Sequence, residues 1–283
     1  MGCARKCAGA LSDGSGMRLA VTGAIDGKPK APLLLRGDLG QAARDAAAIG
    51  YKGIEIHVPD IWNWDAAAFG AACREAGVAV SALVSGQLNV RMGLSLTHDD
   101  PANVRRAVEG LKLFVDACAV LNSGVVVGWV RGQLGDDSER RREMQVAGLR
   151  EVGEYAVSKK VPVYIEALNR YEVDSLNTCE EMVDFIRSNG LPGTYVHLDT
   201  YHMNIEEHSA ARAIRHAGEL LGYFHVAENT RYYPGHDRLD FDPVFAALEE
   251  IGYDGFVSVE CMPFPTGPEA ARRAYDYLKR RYF

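Results

Sequence analysis

The sequence predicts one closed (β/α)₈ barrel, a TIM barrel of the α/β class. Three observations predict it. Short β-rich runs alternate with longer amphipathic stretches eight times between Met17 and Phe283. Alternation of that kind implies a parallel sheet with helical crossovers. The chain has 283 residues, which suits one barrel plus a short extension. Beyond residue 16 no Pro-, Gly- or Ser-rich linker and no block of like charge divides it. An open doubly wound sheet is the competing arrangement, but eight units at this length close more readily into a barrel.

The elements follow in order. Residues 1–16 are small, polar and glycine-rich and read as a flexible tail, with 17–283 as the catalytic barrel. Arg18–Thr22 is the first strand, and Asp38–Ile49 is a helix stopped at Gly50. Gly53–His57 (GIEIH) is the second strand, followed by a helix Asp65–Ala76 stopped at Gly77. Val78–Val84 is the third strand, and its helix, Pro101–Leu121, carries Pro in its first turn, where proline is tolerated. Ser123–Val130 is the fourth strand and Ser138–Lys159 a long charged helix. Pro162–Glu166 with a helix Thr178–Ser188 forms the fifth unit, and Tyr195–Leu198 with Ala210–Leu221 the sixth. Tyr223–Ala227 with Pro243–Ile251, then Gly255–Val259 with Pro268–Arg281, complete the eight.

Composition narrows the function classes. Hydrophobic residues make up 47% and charged residues 24%, as in ordinary globular proteins. A net charge of −7 without a basic patch disfavours nucleic acid. No apolar run reaches the length of a membrane span, and the first residues lack a signal-peptide core. Met1-Gly2 opens like an acylation signal, but Lys6 stands where Ser or Thr is needed. The cysteines, Cys3, Cys7, Cys73, Cys118, Cys179 and Cys261, complete no zinc pattern. The expectation is a cytoplasmic protein with free thiols.

Strands five to eight each end in a side chain able to hold a metal: Glu166, Asp199, His225 and Glu260. The spacings of 33, 26 and 35 residues each correspond to one βα repeat. In a parallel barrel all C-terminal strand ends open on one face, where active sites sit, so these four converge. Any one alone reads as an ordinary polar strand end; all four in register do not. Three carboxylates and one imidazole make a hard, oxygen-rich site suited to one divalent ion, Mn²⁺ first, then Mg²⁺ or Co²⁺. Polar residues crowd the following loops: Asn169, Arg170, Tyr171 and Glu172; His202, Glu206 and Glu207; Glu228 and Arg231.

These stretches carry a family resemblance. IEALNRYE (165–172), HLDTYHMNIEE (197–207), HVAENTR (225–231) and SVE (258–260) resemble the ketose 3-epimerases of the xylose isomerase-like TIM barrel superfamily. The resemblance spans residues 161–264; the first half matches only in barrel pattern. It implies that Glu166, Asp199, His225 and Glu260 ligate the metal, and that Glu172, His202 and Arg231 bind the sugar near O1 and O2. It implies that Glu166 and Glu260 act as the catalytic acid–base pair. One removes the proton α to the C2 carbonyl, the other returns it on the opposite face, and the metal steadies the enediolate between. It also implies a small-molecule sugar as partner and a homodimer or homotetramer.

The sequence departs from the family in two places. Tyr233-Pro234-Gly235-His236-Asp237-Arg238 replaces glycine-rich text, and the Gly128–Gly132 loop is unfamiliar. Arg131 and Arg238 are candidate contacts for a phosphate or acid group, or else solvated surface arginines. Trp62 and Trp64 either close over the sugar or pack on the barrel rim. The alternative function is an aldose–ketose isomerase, or an epimerase of a phosphorylated sugar or sugar acid. Phosphodiester hydrolysis and non-catalytic sugar binding are the readings from other classes. The net charge argues against the first of these, and the retained Glu166–Glu260 pair argues against the second.

Overall fold

The structure is a computed structural model that describes residues 16–26, 28 and 31–283. The expected tail lies, all but Gly16, outside the described residues, as do Cys3 and Cys7. Eight parallel strands form the barrel: β1 Arg18–Ala24, β2 Gly53–His57, β3 Ala79–Val84, β4 Gly124–Val127, β5 Val163–Glu166, β6 Thr194–Asp199, β7 Leu221–Val226 and β8 Phe256–Val259. Each pairs with the next, and β1 also pairs with β8, Leu19 opposite Val257 and Val21 opposite Val259. That pairing closes the sheet and removes its edges. A two-residue strand, Leu35–Arg36, pairs beside the top of β1.

Helices α1 Leu39–Ile49, α2 Ala66–Ala76, α3 Gln87–Met92, α4 Pro101–Leu121, α5 Ser138–Lys159, α6 Cys179–Ser188, α7 Thr200–Glu206, α8 Ala210–Ala217, α9 Asp242–Glu250 and α10 Gly267–Tyr282 connect the strands. Their starts obey local chemistry. Asp38, Asp65, Asp100, Ser209 and Thr266 each accept a bond from a backbone N–H in the first turn, and Thr178 with Glu181 forms a reciprocal capping pair. Among the described residues, no helix is long and apolar enough to cross a membrane.

Alternation along the strands divides the core. Outward-facing side chains such as Val125, Val127, Val163, Ile165, Val196 and Leu198 pack under the helices. Inward-facing ones fill the barrel: Ala20, Ala82, Val126, Tyr164, Tyr195, Tyr223 and Phe256. Tyr164 stacks on Tyr223 with centroids 5.3 Å apart. This aromatic plug makes the barrel a packed core rather than a pore. The described cysteines, Cys73, Cys118, Cys179 and Cys261, are free and buried.

Two boundaries differ from the sequence expectation by three or more residues. β4 ends at Val127 rather than Val130, because Gly128 (φ −105°, ψ −108°) turns the chain into a helical turn, Trp129–Arg131. The helix expected over Ala210–Leu221 stops at Ala217, and a turn, Gly218–Leu220, leads straight into β7. The short helices α3 and α7 were not expected; both lie in loops on the C-terminal face.

Candidate metal centre and active site

Glu166, Asp199, His225 and Glu260 are all buried at the C-terminal ends of β5 to β8. One donor atom from each lies within 4.8 Å of the others. Strand register produces this. Glu166 pairs with His197, Asp199 with His225, and His225 with Ser258, so the strand ends rise together around the mouth.

The free atoms point to a cation. Asp199 Oδ1 accepts the Tyr201 N–H at 2.9 Å, while Oδ2 is buried without a partner. His225 Nε2 lies 2.6 Å from Glu55 Oε2, while Nδ1 is buried without a partner and 3.8 Å from Glu260 Oε2. Buried polar atoms are almost always satisfied, so Asp199 Oδ2 and His225 Nδ1, unpartnered among carboxylates, are placed as a bound cation would use them. The donor set, three carboxylates and one imidazole, fits a hard divalent ion. Glu55 then fixes the His225 tautomer, holding Nε2–H so that Nδ1 is the donor atom, as carboxylates behind ligating histidines commonly do. Tyr223 donates to the same Glu55 oxygen at 2.8 Å and meets Ser81 Oγ at 2.8 Å, which ties the column to the aromatic plug.

The charges are unevenly set. Burial, with the negative charge of Glu260 close by, pushes the Glu166 carboxyl up to about 8. Burial raises Asp199 to about 6. Burial also opposes ionisation of Glu260, but His57, His225 and Arg231 outweigh it and hold that carboxyl well below the usual range. Burial would lower His225, yet the Glu55 carboxylate overrides it and raises the imidazole to about 10. A divalent cation held among these groups would compete with their protons.

The three expected sugar contacts surround this centre. Arg231 reaches Glu260 Oε2 at 2.9 Å and Glu172 Oε1 at 3.2 Å, with its guanidinium 4.5 Å over the Tyr201 ring. Its backbone is left-handed (φ 63°), held by its N–H to Glu228 O at 2.8 Å and by Met262 N–H to its own carbonyl at 2.7 Å. Asn169 Nδ2 donates to His202 Nδ1 at 2.7 Å, and Asn169 Oδ1 accepts the Tyr171 N–H. Nδ1 is therefore the acceptor, and Nε2–H faces Glu166 at 3.6 Å and Asp199 at 3.9 Å. Burial keeps His202 neutral, its pKa well below the ordinary value. The cavity above is lined by Leu33, His57, Trp129, Glu166, Glu172, Arg231 and Glu260 among others.

Several side chains to which the sequence reading gave no role belong here. Glu55 and His57 share the inner face of β2; His57 Nε2 stands 3.4 Å from Glu55 Oε1 and 3.3 Å from Glu260 Oε1. The period-two pattern of GIEIH carried that signal. Trp129 Nε1 donates to Glu172 Oε2 at 2.9 Å. His197 lies one layer deeper, with its ring 4.2 Å from His225. Buried Glu228 accepts the N–H groups of Gly235 and Leu239 at 3.0 Å each, which shapes the loop after β7.

Of the remaining expectations, the substrate contact fails for Arg131 and Arg238, while the surface alternative holds for Arg238 and the rim alternative for Trp62 and Trp64. Arg131 is fully buried and donates to the carbonyls of Ser175, Glu166 and Leu176 at 2.7, 3.4 and 3.4 Å, so it braces the loop after β5 and meets no substrate phosphate. Arg238 is exposed and outside the cavity lining, in a loop where His236 and Asp237 pair with each other. Trp62 packs against Gly110 and Leu88 near α4, with Arg106 at 5.2 Å, and Trp64 lies against Phe69 at 5.5 Å. Both tryptophans therefore belong to the rim.

Comparison with known proteins agrees with the barrel fold. The model of the xylose isomerase-like TIM barrel family matches residues 43–281. An L-ribulose 3-epimerase from Methylomonas sp. (strain DH-1) is 34% identical over 264 residues, covering 86% of this chain and 91% of that protein. A ketose 3-epimerase from Arthrobacter globiformis is 32% identical over 224 residues, covering 78% of this chain and 75% of that one. The crystal structure of D-allulose 3-epimerase from Methylomonas sp. in complex with D-allulose superimposes with a TM-score of 0.75 at 28% identity, covering 94% and 98% of the two chains. The chain belongs to the xylose isomerase-like TIM barrel family, among its ketose 3-epimerases.

Proposed function

We propose that this enzyme inverts C3 of a ketohexose or ketopentose with the help of one divalent metal ion, Mn²⁺ being the first to test. The observation that carries the reading is the Glu166, Asp199, His225 and Glu260 donor set with His202 3.6 Å from Glu166, beside a cavity lined by Glu166, Glu172, Arg231 and Glu260. A cation held by the four side chains supplies polarisation of the ketose carbonyl and offsets the negative charge that builds as the C3 proton leaves. The protein does the rest. Glu166 and Glu260 approach from different strands, so one carboxylate takes the C3 proton and the other returns a proton to the opposite face. Neutral His202 offers its Nε2–H to a substrate oxygen. Arg231, already bonded to Glu260 and Glu172, orients both and adds positive charge beside the reacting carbons.

The test is incubation of the purified protein with Mn²⁺ and a panel of free ketoses in D₂O. C3 epimers carrying deuterium at C3 are expected, and chelator should abolish them. Turnover of a phosphosugar or of an aldose, with no C3 epimer of any free ketose, would replace this reading with the isomerase or phosphosugar alternative.

A further inference from the structure

The catalytic cavity encloses only about 100 Å³, small against the 300–1,000 Å³ usual for small-molecule sites. Beside it lies a groove of about 450 Å³ lined by Asn89, Thr97, His98 and Gln133 among others. The two share Trp129 and Glu172, whose side chains are hydrogen-bonded to each other and form the sill between them. Trp129, the large side chain of that sill, is 38% exposed.

The groove is built rather than incidental. Its floor depends on Gly132, where an added Cβ would lie 2.0 Å from Thr97 Oγ1 and 2.2 Å from Ser95 Oγ. Only glycine lets the loop after β4 close onto those hydroxyls. Gln133 is fixed at both ends, donating to Glu172 O at 2.9 Å and accepting the Asp174 N–H at 2.8 Å.

The lining selects the ligand class. Among the described residues of the groove the only guanidinium is Arg141, which faces both oxygens of Asp99 at 3.3 Å. A phosphate would have to compete with Asp99 for that guanidinium. An exposed indole face beside hydroxyl, amide and imidazole groups suits an uncharged polyhydroxyl ring, stacking its C–H face while its hydroxyls exchange hydrogen bonds.

We infer that the groove is a subsite for a second, neutral glycosyl unit, so that the enzyme acts on ketoses glycosylated at O1. The inference rests on the epimerase reading, which puts Glu172 at the O1–O2 end of the sugar. A substituent on O1 leaves the cavity past Glu172 and over Trp129 into the groove. The reaction is unchanged: the C3 proton leaves on one face, a proton returns on the other, and the glycosidic bond is untouched.

The experiment compares free D-fructose, α-D-glucosyl-(1→1)-D-fructose and α-D-glucosyl-(1→6)-D-fructose with the Mn²⁺-loaded protein, with C3 epimers measured by NMR. The 1→1 sugar should exceed the 1→6 sugar in kcat/KM by about 10-fold or more. His98→Trp fills the groove from an exposed position. It should lower kcat/KM for the 1→1 sugar by about 10-fold and change that for fructose by less than about two-fold. Turnover of fructose without the 1→1 sugar, equal turnover of the two disaccharides, or a His98→Trp effect that is absent or equal on both substrates overturns the inference and leaves the epimerase reading standing. Failure of all three sugars and of every other free ketose overturns both.

Discussion

The mouth of the barrel has two unlike halves. β5 to β8 end in side chains whose donor atoms lie within 4.8 Å of one another, and Asp199 Oδ2 and His225 Nδ1 among them have no partner. β2 to β4 contribute support and walls instead. Glu55 holds His225 from behind, His57 abuts Glu260, and the loops after β3 and β4 form the groove and the Trp129 sill. On the proposed function, the chemistry is concentrated on one side of the ring, while the other side sets how well it is held and what approaches it.

The largest effect should come from the donor half. Glu260→Gln removes a donor and half of the acid–base pair, so turnover should fall by about 10³-fold or more while the fold persists. Kinetics with a parallel melting curve check this; full activity would end the acid–base assignment. Next comes the supporting half. Glu55→Gln keeps shape but removes the charge behind His225, so Mn²⁺ affinity should weaken by about 10- to 100-fold, with turnover mostly restored at saturating metal. If Glu55→Gln is as inactive at saturating Mn²⁺ as Glu260→Gln, the two halves do not differ as described.

A pH experiment sharpens the same contrast. The folded Glu166 carboxyl sits near 8, above its ordinary 4.5. Between those values the metal-free fold holds a proton that the unfolded chain has released, so rising pH costs the metal-free protein stability through this window. A cation takes that proton's place, and it binds better as the proton becomes easier to displace. Mn²⁺ should therefore raise the melting temperature more at about pH 8 than at about pH 5.5; equal shifts would count against Glu166 as a ligand. The smallest effect belongs to the rim. Trp62→Leu should cost about 1 kcal/mol of stability and leave turnover within about two-fold, because Trp62 packs against α4 and does not line the cavity.

Legibility in the sequence follows the same division. Glu166, Asp199, His225 and Glu260 could be found because each ends a strand and one repeat separates each from the next. The barrel itself was legible because helix stops such as Gly50 and Gly77 fall where the 3.6-residue pattern ends; both are left-handed in the structure. Glu55 and His57 stood in plain alternation within GIEIH, but one strand does not reveal which face meets the barrel axis. Arg131 was misread because burial of a loop arginine depends on a contact made 44 residues away, at Ser175. Trp129 was hidden by the turn at Gly128, which ends β4 early and redirects the indole toward Glu172.

The column Ser81–Tyr223–Glu55–His225 has a consequence for how such an enzyme diversifies. Every member lies on a strand and is buried inside the barrel. The loops after β3 and β4 touch none of these bonds. Grafting those loops from a relative should therefore exchange the range of sugars accepted while the grip on the cation is inherited intact from the host barrel.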